Sequence, residues 1–256
     1  MLNSLLLITS AAALLPSLAL GLVGISWNVT NVPSSGLRSI AFPFSIANAP
    51  HKTGYYFVQQ FNFIGQSDVG YTGLQPRPDS NYNPIIRAAF SNFINGTTHG
   101  DPNCHYGADG GPGVSCAVEF SASYANGYRI EVVNIYGNTW TGTVVDTTTG
   151  MRVHIGAWTL PAGTDGIRSS QVGFIEYYLW NGQHHACSSL PYTSMVFGVP
   201  LTTTSGAIGS LGDAYECGDC VGQVDFRTHR TSDQGVAVSV RFVTRVMTYL
   251  QLALGF

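Results

Sequence analysis

From Ile40 onward, apolar and polar residues alternate with a period of two, which is the pattern of half-buried strands. Over Tyr55–Phe63 this places Phe57, Gln59, Phe61 and Phe63 on one face and Tyr56, Val58, Gln60 and Asn62 on the other. A turn at Gly65–Gly70 leads into a strand at Tyr71–Gln75, and Ile85–Phe93 reads as the next one. Between them, residues 76–81 read as a loop, because Pro76 and Pro78 lack the N–H that a ladder needs. A long loop is expected from Asn95 to Gly113. Three consecutive strands then follow at Tyr128–Ile135, Thr139–Asp146 and Met151–Trp158, with Thr147–Gly150 as the second turn. On the third, Val153 and Ile155 face one way and Arg152, His154 and Trp158 the other. Gln171–Trp180 and Ser194–Val199 extend the series, and no segment of about 12 residues has a helical period. The pattern predicts an all-β chain, an antiparallel β-sandwich or a jelly-roll-like fold.

The two ends depart from this pattern. Leu5–Leu15 is an unbroken run of apolar and small residues followed by Pro16 and small-residue cleavage options at residues 17–21. The run is too short to span a bilayer and has the length of a signal-peptide core. Residues 1–21 are therefore expected to be a leader and 22–256 one secreted β domain. Residues 236–256 alternate at first and then become an apolar tail interrupted by Arg241 and Arg245, read as a final core strand with a frayed end.

Composition narrows the class of partner. Only 10% of residues are charged, the formal net charge is -3, and Lys and Arg form no cluster. Nucleic acid and anionic membrane are excluded on that basis. The 30 glycines, with abundant Tyr, Phe, Thr, Ser and Asn, suit short strands, tight turns and a neutral polar surface fit for sugars. Five cysteines in an oxidising compartment imply disulfides with one thiol left over. Cys104 and Cys116 bracket a Gly/Asp/Pro-rich loop and are expected to pair. Cys187 is assigned to Cys220, which opens the following strand, leaving Cys217 free. Cys217 and Cys220 have redox-motif spacing but no βαβ context, and the convergent ligands of a zinc site are missing. No metal or cofactor is expected. Sequons at Asn28 and Asn95 point to a glycoprotein, and a monomer is expected.

Several blocks together resemble a known family of secreted bacterial and fungal proteins, the domain of unknown function numbered 3472. They are Gly70-Tyr71-Thr72-Gly73-Leu74-Gln75, Ala89-Phe90-Ser91, Gly113-Val114-Ser115-Cys116, Gly127-Tyr128-Arg129 and Trp140-Thr141-Gly142 with Asp146 and Thr149-Gly150. His154-Ile155-Gly156, Glu176-Tyr177-Tyr178, Leu190-Pro191-Tyr192, Phe197-Gly198 and Pro200 complete the set, in order across about two thirds of the chain. The resemblance implies a β-sandwich, an extracellular location and association with carbohydrate-active modules. It supplies no catalytic residue.

Among candidate chemical groups, Glu176 is the one acid in a strongly aromatic strand, beside Tyr177, Tyr178 and Trp180. Such a carboxyl can have a raised pKa and act as a general acid, or it can accept hydrogen bonds from sugar hydroxyls. The alternative is a structural Glu satisfied by Arg129 or Arg168. A glycosidase needs a second carboxylate, for which Asp109, Glu119, Glu131 and Asp146 are available. A lyase needs a base and a cation, for which His154, Tyr177 and Arg129 are available, with His184 and His185 as further histidines. Gln60 and Gln75 offer donors and acceptors within aromatic strands. Trp140, Trp158 and Trp180 are possible sugar platforms. The first expectation is a lectin-like carbohydrate-binding protein using Gln60, Gln75, Arg129, Tyr178 and Trp180. The alternatives are a polysaccharide lyase or glycoside hydrolase on the same scaffold, using Glu176, His154 and Tyr177, or a noncatalytic effector that binds a protein.

Overall fold

The computed structural model describes residues 21–181 and 183–242 of the 256-residue chain. The expected leader and the apolar tail beyond residue 242 lie outside the described residues. Among the described residues sixteen strands run as β1 (Gly21–Thr30), β2 (Ser39–Ser45), β3 (Tyr55–Asn62), β4 (Val69–Ser80), β5 (Asn83–Asn92), β6 (Cys104–Tyr106), β7 (Val114–Ser121) and β8 (Gly127–Tyr136). They continue as β9 (Thr139–Asp146), β10 (Arg152–Thr159), β11 (Ser170–Tyr177), β12 (Thr193–Phe197), β13 (Ile208–Leu211), β14 (Tyr215–Glu216), β15 (Asp225–Arg230) and β16 (Val236–Arg241). Helix is confined to single 3-10 turns among the described residues. Nine strands form one antiparallel sheet, in the order β13-β1-β11-β3-β4-β5-β7-β6 with β14 also on β1. Seven form the other, in the order β10-β9-β8-β2-β12-β16-β15. The two pack as a sandwich, the fold class that the alternation predicts.

The core between the sheets is rich in aromatic residues because each strand turns its large apolar positions inward. Trp27, Phe42, Phe57, Phe61, Phe63, Phe90, Trp140 and Trp158 are all fully or almost fully buried. Phe90 stacks on Trp158 with ring centroids 4.4 Å apart, and Phe63 meets Trp140 edge-on at 4.9 Å. Such pairs add about 0.5–1.5 kcal/mol each beyond the area they bury.

Two sequence expectations fail here. Trp158 does not share a face with His154. The pairing of β10 with β9 shifts register between His154 and Gly156, and this bulge reverses the parity, sending Trp158 into the core while His154 stays exposed. Trp140 is equally buried, so neither ring is a sugar platform. Residues 76–80 belong to β4 rather than a loop. Pro76 and Arg77 pair with Ile86 and Ile85 of β5, whereas the ladder between β4 and β3 ends at Leu74. Beyond that point β4 has an open edge, where proline's missing N–H costs nothing.

The cysteines follow expectation. Cys104 pairs with Cys116 across β6 and β7, Cys187 pairs with Cys220, and Cys217 is free. Of the sequons, Asn95 lies exposed in a turn, while Asn28 is half-buried within β1. No helix among the described residues is long and apolar enough to cross a membrane.

Candidate active site

Strand alternation gives the nine-stranded sheet an outer face of its own. Phe57 and Phe61 of β3 point into the core, so Tyr56 and Val58 point out. On β11, Ile175 points in and Phe174 points out, which carries Glu176 outward as well. On this face Tyr56, Val58, Tyr71 and Ala89 form a second, smaller buried cluster, with Phe93, Phe174 and Tyr178 around it. Gly73 lies opposite Val58 and Ala89, and a side chain there would strike the Phe57 carbonyl first and then the ring of Tyr56. The Tyr56 and Tyr71 rings meet edge-on at 5.8 Å.

The hydroxyls of Tyr56 and Tyr71 are close enough to feel the charge of Glu176. Glu176 is only 6% exposed, sits directly opposite Tyr56, and accepts a hydrogen bond from the Asn181 amide. Burial pushes its carboxyl pKa up, the Asn181 bond opposes this, and the negative charge of Asp109 adds to the rise. The Tyr56 hydroxyl is buried and has no hydrogen-bond partner among the described residues. Its pKa is raised by burial first, then by Tyr71, Glu176 and Asp109, and is lowered by Arg87. Tyr71 donates its hydroxyl to Asp109 Oδ2 at 2.9 Å, and burial, together with the Asp109 charge, raises its pKa.

Asp109 arrives from the loop between β6 and β7. The Asp109 backbone is left-handed at φ 47°, which aspartate tolerates better than most residues. Gly107, Gly110 and Gly113 flank it with φ of 89°, 76° and 90°. A side chain on Gly113 would strike the backbone of Asn92, so the loop's return into β7 requires glycine there. The Cys104–Cys116 disulfide ties the base of this loop. Asp109 itself is exposed. The site therefore consists of a buried acid whose carboxyl pKa is raised, an exposed carboxylate at its rim held by Tyr71, and the unpartnered Tyr56 hydroxyl. An arrangement of two carboxyl groups with separated protonation preferences can perform general acid–base chemistry.

The structure distributes the sequence candidates over several places. Glu176 is in this site, and Gln75 and Tyr178 border it. Arg77 Nη2 donates to Gln75 Oε1 at 2.7 Å and its Nη1 to the Tyr178 hydroxyl at 2.9 Å. Gln60 lies on the same face, opposite Tyr71. Tyr177 does not join Glu176, because adjacent strand residues point to opposite faces; its ring packs edge-on against Tyr55 and Trp180 at the core. His154 lies on the outer face of the seven-stranded sheet, where Nε2 meets Asp101 Oδ2 at 2.5 Å. Arg129 is on that sheet too, bonded to Glu131 at 2.9 Å, so neither it nor the Glu176 side chain satisfies the other. Trp180 is covered by His185, which stacks on it at 4.2 Å. A cavity of about 450 Å³ lined by His184, His185, Cys187 and Asp219 borders Phe242, the last described residue. No group of His, Cys, Asp and Glu fit to hold a metal occurs among the described residues.

Asp109 is one of the four acids that the sequence offers as a second carboxylate, and it is the one whose charge acts on Glu176; Tyr56, Tyr71, Arg87 and Asn181 are site residues that the sequence reading did not name. Alternation on β3, β4 and β5 places Tyr56, Tyr71 and Arg87 on one face, and that signal was available. Nothing in the sequence indicates that the Asp109 loop folds back over this face.

No protein-family profile and no curated protein matches this chain. Among solved structures, scytalido-glutamic peptidase with a peptide-based transition-state analogue is similar at 11% identity and a TM-score of 0.49, covering 86% of this chain and 98% of that one. SCP-B, a member of the eqolisin family of peptidases in complex with the tripeptide Ala-Ile-His, is similar at 12% identity and a TM-score of 0.43, covering 87% and 98%.

Proposed function

We propose that this protein is a secreted acid–base hydrolase of glycan chains, with Glu176 as the proton donor. The observation that carries the reading is the convergence of buried Glu176, Asp109 and the unpartnered Tyr56 hydroxyl on one face. Cleaving a glycosidic bond needs a carboxylic acid that stays protonated to release the leaving oxygen, and a second carboxylate for the sugar carbon or its water. Burial and the Asp109 charge favour the protonated form of Glu176, while Tyr71 fixes Asp109. Tyr56 offers one donor and two acceptor positions for a sugar hydroxyl.

Catalysis is placed ahead of binding alone because the indole platforms that a lectin face would use are occupied: Trp140 and Trp158 in the core, Trp180 beneath His185. The expected leader, the two disulfides and the exposed Asn95 sequon support secretion. The resemblance to the domain of unknown function 3472 is consistent with a carbohydrate-active role.

The test is to incubate the secreted, disulfide-bonded protein with neutral glucans, polyuronates and a denatured protein, from acid to neutral pH, following new reducing ends and new amines. Reducing ends that disappear in Glu176→Gln are expected. New amines without reducing ends would replace the glycan with a peptide, the class of ligand in the two peptidase structures above. Glycan binding without cleavage would return the protein to the lectin class.

A further inference from the structure

Two arginines stand side by side on the outer face of the nine-stranded sheet and have opposite surroundings. Arg77 on β4 uses four of its five donors. Its Nε donates to Glu119 at 2.9 Å, Nη1 to the Tyr178 hydroxyl at 2.9 Å and the Pro76 carbonyl at 3.1 Å, and Nη2 to Gln75 at 2.7 Å. Gln75 and Glu119 are also the direct cross-strand partners of Arg87, on β4 and β7 respectively. Arg77 thus holds the acceptors nearest to Arg87.

Arg87 is half-buried, and its guanidinium makes no hydrogen bond or ion pair among the described residues. A guanidinium has five donors and no acceptor capacity, and leaving it partly desolvated without an anion is unfavourable. Its charge acts on the Tyr56 hydroxyl, which also feels Glu176. Tyr56 therefore lies electrostatically between the acid and the unpaired cation. Arg87 on β5 is three strand spacings from Glu176 on β11, roughly 14 Å along the face, a distance that a polymer bound across the strands would span.

Resting on the hydrolase reading, we infer that Arg87 is the specificity-determining residue of an anion subsite, which binds a substrate carboxylate some way along the chain from the bond at Glu176. The substrate class is then an acidic glycan whose repeating uronate carboxylates present the planar, bidentate partner that a guanidinium fits. The cation role that a polyuronate enzyme requires falls to Arg87, because Arg129 is on the other sheet and already paired with Glu131.

The experiment compares wild type with Arg87→Met, Arg87→Gln and Arg87→Lys, using an oligogalacturonate and a neutral β-glucan oligomer of equal length, in titration calorimetry and in cleavage assays. Wild type is expected to prefer the oligouronate. Arg87→Met and Arg87→Gln should weaken oligouronate binding about 10- to 100-fold, raising KM more than they lower kcat, with the neutral oligomer unaffected and Lys restoring part of the loss. An unchanged thermal transition in either neutral variant serves as the folding control. Oligouronate affinity equal to wild type in a folded Met or Gln variant would overturn the inference, as would a wild-type preference for the neutral oligomer. Tighter binding of an aspartate-rich peptide than of the oligouronate would overturn the glycan class. If Glu176→Gln abolishes cleavage while the Arg87 variants keep the uronate preference, the anion subsite falls and the active site stands. If nothing is cleaved yet oligouronate binding depends on Arg87, the subsite stands and hydrolysis falls.

Discussion

The outer faces of the two sheets each carry a strand glutamate, Glu131 in the middle of β8 and Glu176 near the end of β11, and the two are treated in opposite ways. Glu131, on the seven-stranded sheet, lies between Arg129 at 2.9 Å and Arg152 at 2.6 Å. Partial burial raises its pKa, but the bonds from Arg152 and then Arg129 outweigh this and leave it lowered. Glu176, on the nine-stranded sheet, has a neutral amide for a partner and a carboxylate for a neighbour, and its pKa is raised. The residue type is the same; the neighbours decide whether its carboxyl pKa falls, as in an ion pair, or rises. His154 makes the same point, since its partner Asp101 places it in a pair on the face that lacks the buried acid.

The sharpest way to break this comparison is to neutralise each glutamate in turn. Glu176→Gln is expected to lower kcat about 10²- to 10⁴-fold, the span of a lost general acid, whereas Glu131→Gln should leave the rate within about twofold. Equal losses would mean that the Glu176 environment has no catalytic meaning.

The loop that delivers Asp109 is tied at its base by the Cys104–Cys116 disulfide. Replacing Cys104 and Cys116 together by serine is expected to destabilise the protein by about 3 kcal/mol, measured by denaturant unfolding, from the closed loop alone. The same variant should lose activity before it unfolds, because Asp109 loses its fixed base. Full activity below the unfolding midpoint would separate the loop from the site.

The pH dependence of stability should differ in sign between the faces. Glu176 has its pKa raised by folding, so its contribution is fully present below the unfolded carboxylate pKa and fades as pH rises through the folded value. Glu131 has its pKa lowered, so its contribution is present above the unfolded pKa and is lost as pH falls through the folded value. Glu176→Gln should therefore flatten the loss of stability on the rising side of the carboxylate range, and Glu131→Gln the loss on the falling side. Thermal unfolding across that range checks both.

The smallest effect is expected from the ion pairs themselves. Arg152 is more than half exposed, so Arg152→Met should cost at most about 1 kcal/mol, and less at high salt. A larger cost would show that the seven-stranded face is under more electrostatic constraint than its exposure indicates.

Much of the fold was legible because a period of two has one structural meaning. The faces of β3, the hairpins of β8, β9 and β10, and the Cys104–Cys116 and Cys187–Cys220 pairs all follow from local pattern, compartment and loop composition. The failures came where a distant partner changed a local rule. Proline ends a strand only if both edges must pair, and β4 outruns β3, so Pro76 stays in the sheet. Alternation assigns Trp158 to the face of His154 only if the strand is regular, and a bulge intervenes.

The chain by itself determined that this is an antiparallel sandwich with Glu176 set among aromatics, since burial of alternate residues is written into each strand. It also placed Tyr177 one residue away, and therefore on the opposite face, a consequence that follows from the pleat. Which groups Glu176 meets was decided only by tertiary structure. Asp109 reaches Tyr71 through a glycine-bounded loop 38 residues further along the chain, and Gln75 and Glu119, the cross-strand neighbours of Arg87, bond instead to Arg77. A carboxyl's pKa is set by the dielectric and the charges within a few ångströms of it, and those neighbours come from strands whose order in the sheet no local pattern records.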